Sequence, residues 1–275
     1  MCAGWCGAKA GVDYRAGWSE LHAWFPDEAA CRSFLERLRW PQGFVCPGCG
    51  VLDTPWRQSR GRLTCRSCKR EVSVTAGTIF EKTRSLLTTW FAAAWYVTNQ
   101  KTGASALGLQ RVLGLGSYST AWLMLHKLRR AMVRPGREPL RGMVEVDETF
   151  VGRGEGSGAP GRSLGHKALV VIAVEVFEPR GIGRVRMRCV PDAKSESLIP
   201  FVGDVVAAGS VVRTDGWRGY LRLLRFDFVH ERRSLMASRD AESTMLPGVH
   251  LVTSLLKRWL MGTINGAVRP QHLPQ

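Results

Sequence analysis

The sequence lacks long hydrophobic runs and is poor in acidic residues. No apolar stretch reaches the roughly 18 residues that cross a bilayer, and the first residues lack the charged segment and apolar run of a secretory signal. We therefore expect neither a membrane protein nor a secreted disulfide scaffold. Asp and Glu number 23 against 39 Lys and Arg, so the 275 residues carry a net charge of 39 − 23 = +16. That excess indicates a polyanionic partner, most often nucleic acid, although an Arg-rich protein of ribosomal type would show it too.

Four of the eight cysteines lie in two C-x-x-C pairs. Cys46 pairs with Cys49 and Cys65 with Cys68, and fifteen residues, 50–64, separate the pairs. Each pair can form a tight turn that presents two thiolates, and the segment between them can fold as a hairpin. Four sulfurs then complete the tetrahedral shell of zinc and leave no open position for catalysis. The spacing predicts a structural zinc ribbon; the alternatives are a redox pair and four buried thiols.

The other four cysteines have no partner at such spacing. We expect Cys2, Cys6, Cys31 and Cys189 to be ordinary thiols in a reducing cytosol. Cys2 and Cys6 could form a further metal-binding pair, but no other feature of the sequence supports one.

Positive charge is concentrated in the predicted ribbon. Its basic residues are Arg57, Arg60, Arg62, Arg66, Lys69 and Arg70. On a zinc ribbon such residues can contact phosphates, or they can form a solvated basic face. Residues 1–140 hold 20 basic and 9 acidic residues, a balance of +11, whereas residues 141–275 hold 19 and 14, a balance of +5. We therefore expect the N-terminal half to contact DNA.

Helical periodicity dominates the rest of the N-terminal half. Residues 1–25 show no regular pattern, and a helix is predicted from Asp27 or Glu28 to about Trp40, with both acids favourable at its N-terminus. Between residues 85 and 133, apolar residues recur at helical spacing in three segments, the last two joined by a glycine-containing turn. This pattern is typical of a helix-turn-helix, and a plain helical bundle would share it.

After residue 140 the periodicity becomes that of strands. We predict strands at 143–151, 167–176, 184–190, 211–214 and 228–230, and helices at 193–207, 221–224 and from 246 to about 261. The stretch 152–165 is rich in glycine and is predicted to be a loop. This order of elements indicates a mixed α/β layer fold.

Two aspartates stand where a carboxylate needs a partner. Asp147 lies within a predicted strand, and Asp215 follows a β-branched strand at the point where a side chain projects from the carboxyl end of a sheet. Either residue alone is more typical of a capped or exposed aspartate. Together, in a basic protein, they suggest a site for Mg or Mn, because hard cations prefer oxygen ligands and can activate water for phosphoryl transfer.

His250 and Lys257 are seven residues apart in the last predicted helix. This spacing is close to two turns, so both side chains lie on one helix face. A surface histidine and a solvated lysine would show the same spacing, and the spacing alone favours that interpretation.

Several stretches of the chain, in colinear order from about residue 20 to 273, resemble insertion-sequence transposases of the ISXO-like group within the DDE superfamily. The stretches are WPQGF at 40–44, CPGCG at 46–50, SVTAGTIF at 73–80, GMVEVDETFVG at 142–152, TDGWRGY at 214–220 and LLKRWLMGT at 255–263. The resemblance implies an N-terminal zinc ribbon, a helical DNA-binding segment and an RNase-H-like catalytic domain.

The resemblance also implies the site residues. Asp147 corresponds to the first metal carboxylate and Asp215 to the second. The third catalytic position, seven residues before the family's lysine, is His250 here, where the superfamily typically has Glu and relatives in this group also have Asn or His. An imidazole nitrogen can ligate a metal. Lys257 would then contact DNA phosphate.

The expected fold class is α/β, with an RNase-H-like mixed-sheet catalytic domain preceded by a zinc ribbon and a helix-turn-helix-like segment. The expected segments are an irregular region and helix at 1–43, the ribbon at 44–75, the DNA-binding helices at 76–140 and the catalytic domain at 141–275. Relatives continue beyond the equivalents of His272 and Leu273 with another helical segment, so we expect a C-terminally truncated copy whose activity is in question.

The expected function is that of an insertion-sequence transposase, which cleaves DNA strands at element ends with Mg or Mn and transfers them into target DNA. The alternative is a non-catalytic zinc-ribbon DNA-binding protein derived from such an enzyme. The expected cofactors are structural zinc and catalytic Mg or Mn. The expected partners are double-stranded DNA of the terminal repeats and the target, bound by a homo-oligomer, and no membrane. The expected location is the bacterial cytoplasm, at the nucleoid.

Overall fold

The computed structural model describes residues 17–133, 136–152, 167–179, 181–233 and 246–266, without the side chains of Arg60 and Arg225. The chain forms two compact units, one of residues 1–100 and 106–133 and the other of residues 101–105 and 134–275. Cys2, Cys6 and the glycine-rich stretch after Gly152 lie outside the described residues. Within the described ranges, no helix combines the length and apolarity that a membrane span requires.

The first unit begins with helices α1 (Trp18–Trp24) and α2 (Glu28–Arg39). The start of α2 agrees with the sequence, because the Asp27 carboxylate accepts a hydrogen bond from the backbone N–H of Ala30 at 2.8 Å. The expectation of an irregular chain up to residue 25 is wrong for α1. A helix of seven residues is too short to be stable alone, and tertiary contacts support it: Leu21 is buried, and the Trp18 ring lies 5.1 Å from a ring on a later helix.

The ribbon follows as a small antiparallel sheet. Its strands are β1 (Trp56–Arg57), β2 (Arg62–Thr64) and β3 (Glu71–Ser73), paired in the order β1-β2-β3. Its core contains two of the four paired cysteines together with apolar side chains: Phe44, Cys46, Leu63, Cys65 and Val72. A core this small makes the ribbon dependent on further cross-links.

Three helices complete the first unit: α3 (Leu87–Asn99), α4 (Ala106–Leu113) and α5 (Tyr118–Met132). The predicted glycine turn separates α4 from α5, and Gly114 has a φ of +62°, a conformation that glycine adopts without strain. α4 and α5 pack against each other, and α3 contacts both. The three predicted helical segments are thus present, with a short helix and a longer helix joined by a tight turn.

The second unit is built on a five-stranded mixed sheet with the order β6-β5-β4-β7-β8. The strands are β4 (Met143–Val151), β5 (Ala168–Val176), β6 (Ile182–Val190), β7 (Val211–Asp215) and β8 (Val229–Arg233). β4, β5 and β6 pair antiparallel, whereas β7 pairs parallel with β4 and with β8. The mixed α/β sheet expected for an RNase-H-like domain is confirmed.

Helices cover both faces of this sheet. Helix α6 (Ser195–Val205) and the 3₁₀ segment Arg218–Arg225 cover one face, and helix α7 (Pro247–Ile264) covers the other. Because side chains alternate along a strand, Val144 and Val146 of β4 pack on the α6 side and Val151 packs on the α7 side. The odd-numbered residues of β4 therefore face α7.

Candidate functional site

The two predicted metal carboxylates lie side by side in the sheet. β4 and β7 run parallel with Val146 opposite Thr214, so Asp147 and Asp215 are the next residues along each strand. Adjacent strands are about 4.8 Å apart, and residues at matching register positions point to the same face. That face is the α7 side. The fold thus places Asp147 and Asp215, which are distant in the sequence, next to each other on the face of the sheet that α7 covers.

Local hydrogen bonds orient both carboxylates. Asp147 Oδ1 accepts a hydrogen bond from the backbone N–H of Glu148 at 2.9 Å. Asp215 Oδ1 accepts one from the backbone N–H of Trp217 at 3.0 Å, which is the hydrogen bond of an Asx turn. A backbone N–H close in sequence therefore helps to orient each aspartate: that of Glu148 for Asp147 and that of Trp217 for Asp215.

The structure also brings His250 to this face. His250 lies in the first turn of α7, and its Nε2 is 3.6 Å from Oδ2 of Asp147. The His250 side chain is 46% exposed and that of Asp147 is 22% exposed. Both remain accessible to solvent, as a site for an external ligand requires.

A buried glutamate fixes the start of α7. Glu145 is on β4, two residues before Asp147 and therefore on the same face, and it is 1% exposed. Its Oε2 accepts a hydrogen bond from the backbone N–H of Val249 at 2.9 Å. A carboxylate at a helix N-terminus is favourable, and this one ties the residue next to His250 directly to the strand of Asp147.

Lys257 is not brought to the carboxylates. It is exposed on α7, about 10 Å along the helix axis from His250 at 1.5 Å per residue. Among the residues that the structure describes, its side chain has no ion-pair or hydrogen-bond partner. Its position suits contact with an extended ligand and not with an ion at Asp147.

The three predicted ligands do not form a closed cluster. In the described part of the chain, the one group of three or more His, Cys, Asp or Glu with ligand atoms all within 4.8 Å of one another is the cysteine group of the ribbon. Asp147, Asp215 and His250 therefore sit around a wider space. Two carboxylates suit a hard cation, and His250 Nε2, 3.6 Å from Asp147 Oδ2, offers a further ligand atom beside them.

Two residues behind the carboxylates were not identified from the sequence. Tyr220 is fully buried, and its hydroxyl donates a hydrogen bond to Oε2 of Glu148 at 2.8 Å. Burial raises the pKa of Tyr220 well above its ordinary value, and the negative charges of Glu148, Asp147 and Asp215 raise it further. The phenol thus stays neutral beside the acidic group. The sequence feature that could have pointed to Tyr220 is its position in the TDGWRGY stretch, five residues after Asp215.

A cavity of about 400 Å³ lies on the opposite face of the sheet. Phe150 and Trp217 line it, together with residues 192–196 and Arg218. Its lining contains two acidic and two basic side chains, so their formal charges cancel. This cavity therefore has no evident preference for an anion, and it is separate from the face that carries Asp147.

The four paired cysteines form a compact cluster in the first unit. Their sulfurs all lie within 4.8 Å of one another, with Cys46 and Cys68 at 3.6 Å and Cys49 and Cys65 at 3.7 Å. Disulfide sulfurs would be about 2.05 Å apart. Four sulfurs placed tetrahedrally about 2.3 Å from zinc are separated by about 3.8 Å. The observed spacing therefore fits a tetrahedral zinc site.

Backbone amides favour the thiolate form at the first cysteine of each pair. Hydrogen bonds from the N–H groups of Cys49 and Gly48 lower the pKa of Cys46 to about 6. The N–H of Cys68 is the main cause that lowers the pKa of Cys65. Since zinc binds thiolates, the backbone favours at Cys46 and Cys65 the form that the metal binds.

Comparison with known families gives two matches. Residues 139–275 match the family model of the ISXO2-like transposase domain, and residues 26–71 match that of the transposase zinc-ribbon domain. The first match contains the five-stranded sheet and the second contains all four clustered cysteines.

Individual proteins are also similar to the chain, and two of them follow. A Halobacterium salinarum protein described as an uncharacterized protein in transposable element ISH50 is 27% identical over 254 residues, covering 86% of this chain and 84% of that protein. A chain in the cryo-EM structure of a simian T-cell lymphotropic virus intasome in complex with PP2A regulatory subunit B56 gamma is 14% identical, with a TM-score of 0.31. That match covers 66% of this chain and 60% of the solved one, less than two thirds of its length.

Proposed function

Because this chain belongs to the insertion-sequence transposases with a zinc ribbon and an ISXO2-like DDE domain, we propose that it cleaves DNA at element ends and joins those ends to target DNA. The observation that carries the proposal is the placement of Asp147 and Asp215 side by side on one face of the sheet. Paired carboxylates in a chain of net charge +16 suit a site that acts on a polyanion.

In this proposal, Asp147 and Asp215 would hold Mg or Mn through carboxylate oxygens, and His250 would contribute a nitrogen ligand. When bound, the ion supplies Lewis-acid stabilisation of charge on phosphate oxygens and lowers the pKa of water. The site suits this ion because both aspartates are oriented by backbone N–H groups and open onto solvent. Glu145 supports it by anchoring the first turn of α7.

The proposed reaction has two steps at the same site. Water attacks the phosphodiester at the element terminus, the bond to the 3′ oxygen breaks, and that oxygen takes up a proton to become a 3′-hydroxyl. The hydroxyl then gives up its proton and attacks a phosphodiester of target DNA, and the second 3′ oxygen, whose bond to phosphorus breaks, takes up a proton. Lys257, exposed on α7, contacts a DNA phosphate on either side of the scissile bond.

The ribbon has a structural role in this proposal. Cys46, Cys49, Cys65 and Cys68 fill the tetrahedral shell of zinc, so the metal has no position for substrate. The zinc ribbon and the helices α4 and α5 bind double-stranded DNA of the terminal repeats. A homo-oligomer at the bacterial nucleoid brings two element ends together.

One observation favours the alternative of a DNA-binding protein without catalysis. The ligand atoms of Asp147, Asp215 and His250 do not all come within 4.8 Å of one another. A protein that only binds DNA has no need of a closed metal site. The two functions differ in whether divalent metal produces strand cleavage, so a cleavage assay separates them.

The test is the variant Asp147→Asn in the full-length, zinc-loaded protein. We expect it to bind terminal-repeat DNA like the wild type and to lose cleavage in Mg or Mn. Asp204→Asn is the matched control, because Asp204 is a surface carboxylate on α6 with a 61% exposed side chain. Retained cleavage in Asp147→Asn would remove this residue from the site, and no cleavage by the wild type would favour the alternative.

A further inference from the structure

The exposed ribbon cations whose side chains the structure describes fall into two groups. Two of them are engaged in ion pairs: Arg57 donates to both carboxylate oxygens of Glu36 at 3.1 and 2.9 Å, and Arg62 donates to Glu71 at 2.6 Å. These guanidinium groups are already neutralised within the protein. An external anion has to compete with Glu36 and Glu71 for these two arginines.

Three other cations have no acidic partner among the residues that the structure describes. Arg66, Lys69 and Arg70 are exposed, and within the described part of the chain none of them forms a salt bridge. Arg66 lies inside the turn between Cys65 and Cys68, and the other two follow it directly. Three uncompensated charges are thus concentrated at one end of the ribbon.

An exposed tryptophan joins this group. Trp56 on β1 is 44% exposed, the Lys69 Nζ is 4.1 Å from the centroid of its ring, and the Arg66 Cζ is 6.0 Å from it. These are cation–π distances. The indole lies beside both cations and remains partly open to solvent. Tryptophan side chains are more often largely buried.

Arg70 extends the charge to the other cysteine turn. Its side chain passes over Gly48, where an added Cβ would lie 2.7 Å from the Arg70 Cδ. The missing side chain at Gly48 therefore leaves room for Arg70 beside the Cys46 turn. The cations span from one zinc-binding turn to the other.

We propose that Trp56, Arg66, Lys69 and Arg70, the Trp56 patch, are the surface by which the ribbon binds the sugar-phosphate backbone of duplex DNA. This inference rests on the proposed function as a DNA-binding transposase. Uncompensated cations release counterions when they meet phosphates, and the amphipathic indole can pack on a sugar. Arg57 and Arg62, held by Glu36 and Glu71, make no such contact.

The competing role of these cations is internal. Four thiolates and one Zn²⁺ carry a net charge of −2, which nearby Arg and Lys can offset. In that case the three cations stabilise the zinc site and not a DNA complex. Measurements of zinc content and of DNA binding on the same variants separate the two roles.

The test compares two triple variants of equal charge in the full-length, zinc-loaded protein. The patch variant is Arg66→Gln, Lys69→Gln, Arg70→Gln. The control is Arg32→Gln, Arg57→Gln, Arg62→Gln, whose three arginines all pair with carboxylates. Binding to a fluorescein-labelled duplex is followed by anisotropy over a range of salt concentrations. Zinc content and thermal unfolding are measured in parallel.

We expect the patch variant to bind roughly tenfold more weakly at the same salt concentration and to lose about one unit of salt slope per removed cation. The control should keep most of the slope, and both variants should retain zinc. Trp56→Ala should weaken binding without changing the slope, because the ring carries no charge. Equal slopes in the two triple variants, or loss of zinc from the patch variant, would overturn the assignment. A wild type without salt-dependent DNA binding would instead overturn the proposed function, and the patch with it.

Discussion

At the scale of the residue, Glu175 illustrates how a carboxylate remains ionised inside the sheet. Its side chain is 6% exposed. Burial favours the neutral form and by itself raises the pKa, but hydrogen bonds from the Arg184 guanidinium and from the backbone N–H groups of Arg141 and Arg184 lower the pKa of Glu175 to about 2. The ion pair therefore links β5 and β6 to the segment that leads into β4.

This pKa predicts how stability depends on acid. The carboxyl group has a lower pKa in the folded chain than in the unfolded chain, where it is near 4.5. The ionised group therefore stabilises the fold above pH 4.5, and about 3 kcal/mol is lost as the pH falls from 4.5 towards 2. In urea denaturation at several pH values, Glu175→Gln should be less stable than the wild type at neutral pH and should lose less stability below pH 4.5. Parallel pH profiles of the two proteins would contradict this explanation.

At the scale of the element, the Tyr220–Glu148 contact connects β4 to the 3₁₀ segment that follows β7. Glu148 follows Asp147 on β4, and Tyr220 lies on the 3₁₀ segment that follows Asp215 at the end of β7. Their hydrogen bond of 2.8 Å lies on the α6 side, directly behind the carboxylates. It therefore fixes the end of β7 against β4, in addition to the backbone pairing of the two strands.

Tyr220→Phe removes this contact and leaves the ring in the core. A hydrogen bond to a charged group is worth about 1.5–3 kcal/mol, so we expect a loss of that order in the free energy of unfolding. If the contact also sets the spacing of the aspartates, Mn²⁺ should bind several-fold more weakly by calorimetry. Tyr96→Phe on α3 is the matched control and should change neither quantity. Reduced stability with unchanged Mn²⁺ affinity would limit Tyr220 to a packing role.

At the scale of the whole molecule, the second unit and the ribbon are stabilised by different means. The second unit has a sheet with apolar clusters on both faces. The ribbon has a core of five buried residues, two of them cysteines. A core of that size does not stabilise a fold by itself, and a metal can supply the missing free energy.

Zinc removal should therefore unfold the ribbon selectively. With a chelator in excess, amide hydrogens of residues 44–75 should exchange rapidly, while those of β4 and β5 keep their protection, and DNA affinity should fall. Cys49→Ser should reproduce both effects without the chelator. Full protection of the ribbon in metal-free protein would show that its core suffices. The measurement is hydrogen–deuterium exchange followed by mass spectrometry.

Local patterns in the sequence determined much of the architecture. The C-x-x-C pairs predicted the cysteine cluster, because two closely spaced thiols in a turn already point to one centre. β4 has the predicted bounds of 143–151, since its apolar and polar residues give a clear strand signal. The start of α2 follows from Asp27, which caps the helix within three residues. Each of these features depends on neighbours in the chain.

Other features were decided only by the tertiary structure. Asp147 and Asp215 are 215 − 147 = 68 positions apart, and their adjacency depends on the parallel register of β4 and β7, which the packing of the whole sheet selects. The same holds for α1, which needs partners from later helices, and for the contact between Glu148 and Tyr220. The number of cations can be read from the sequence, but only the fold shows which of them form ion pairs with carboxylates. Local propensity cannot specify these contacts, because their free energy arises between segments that meet only after folding.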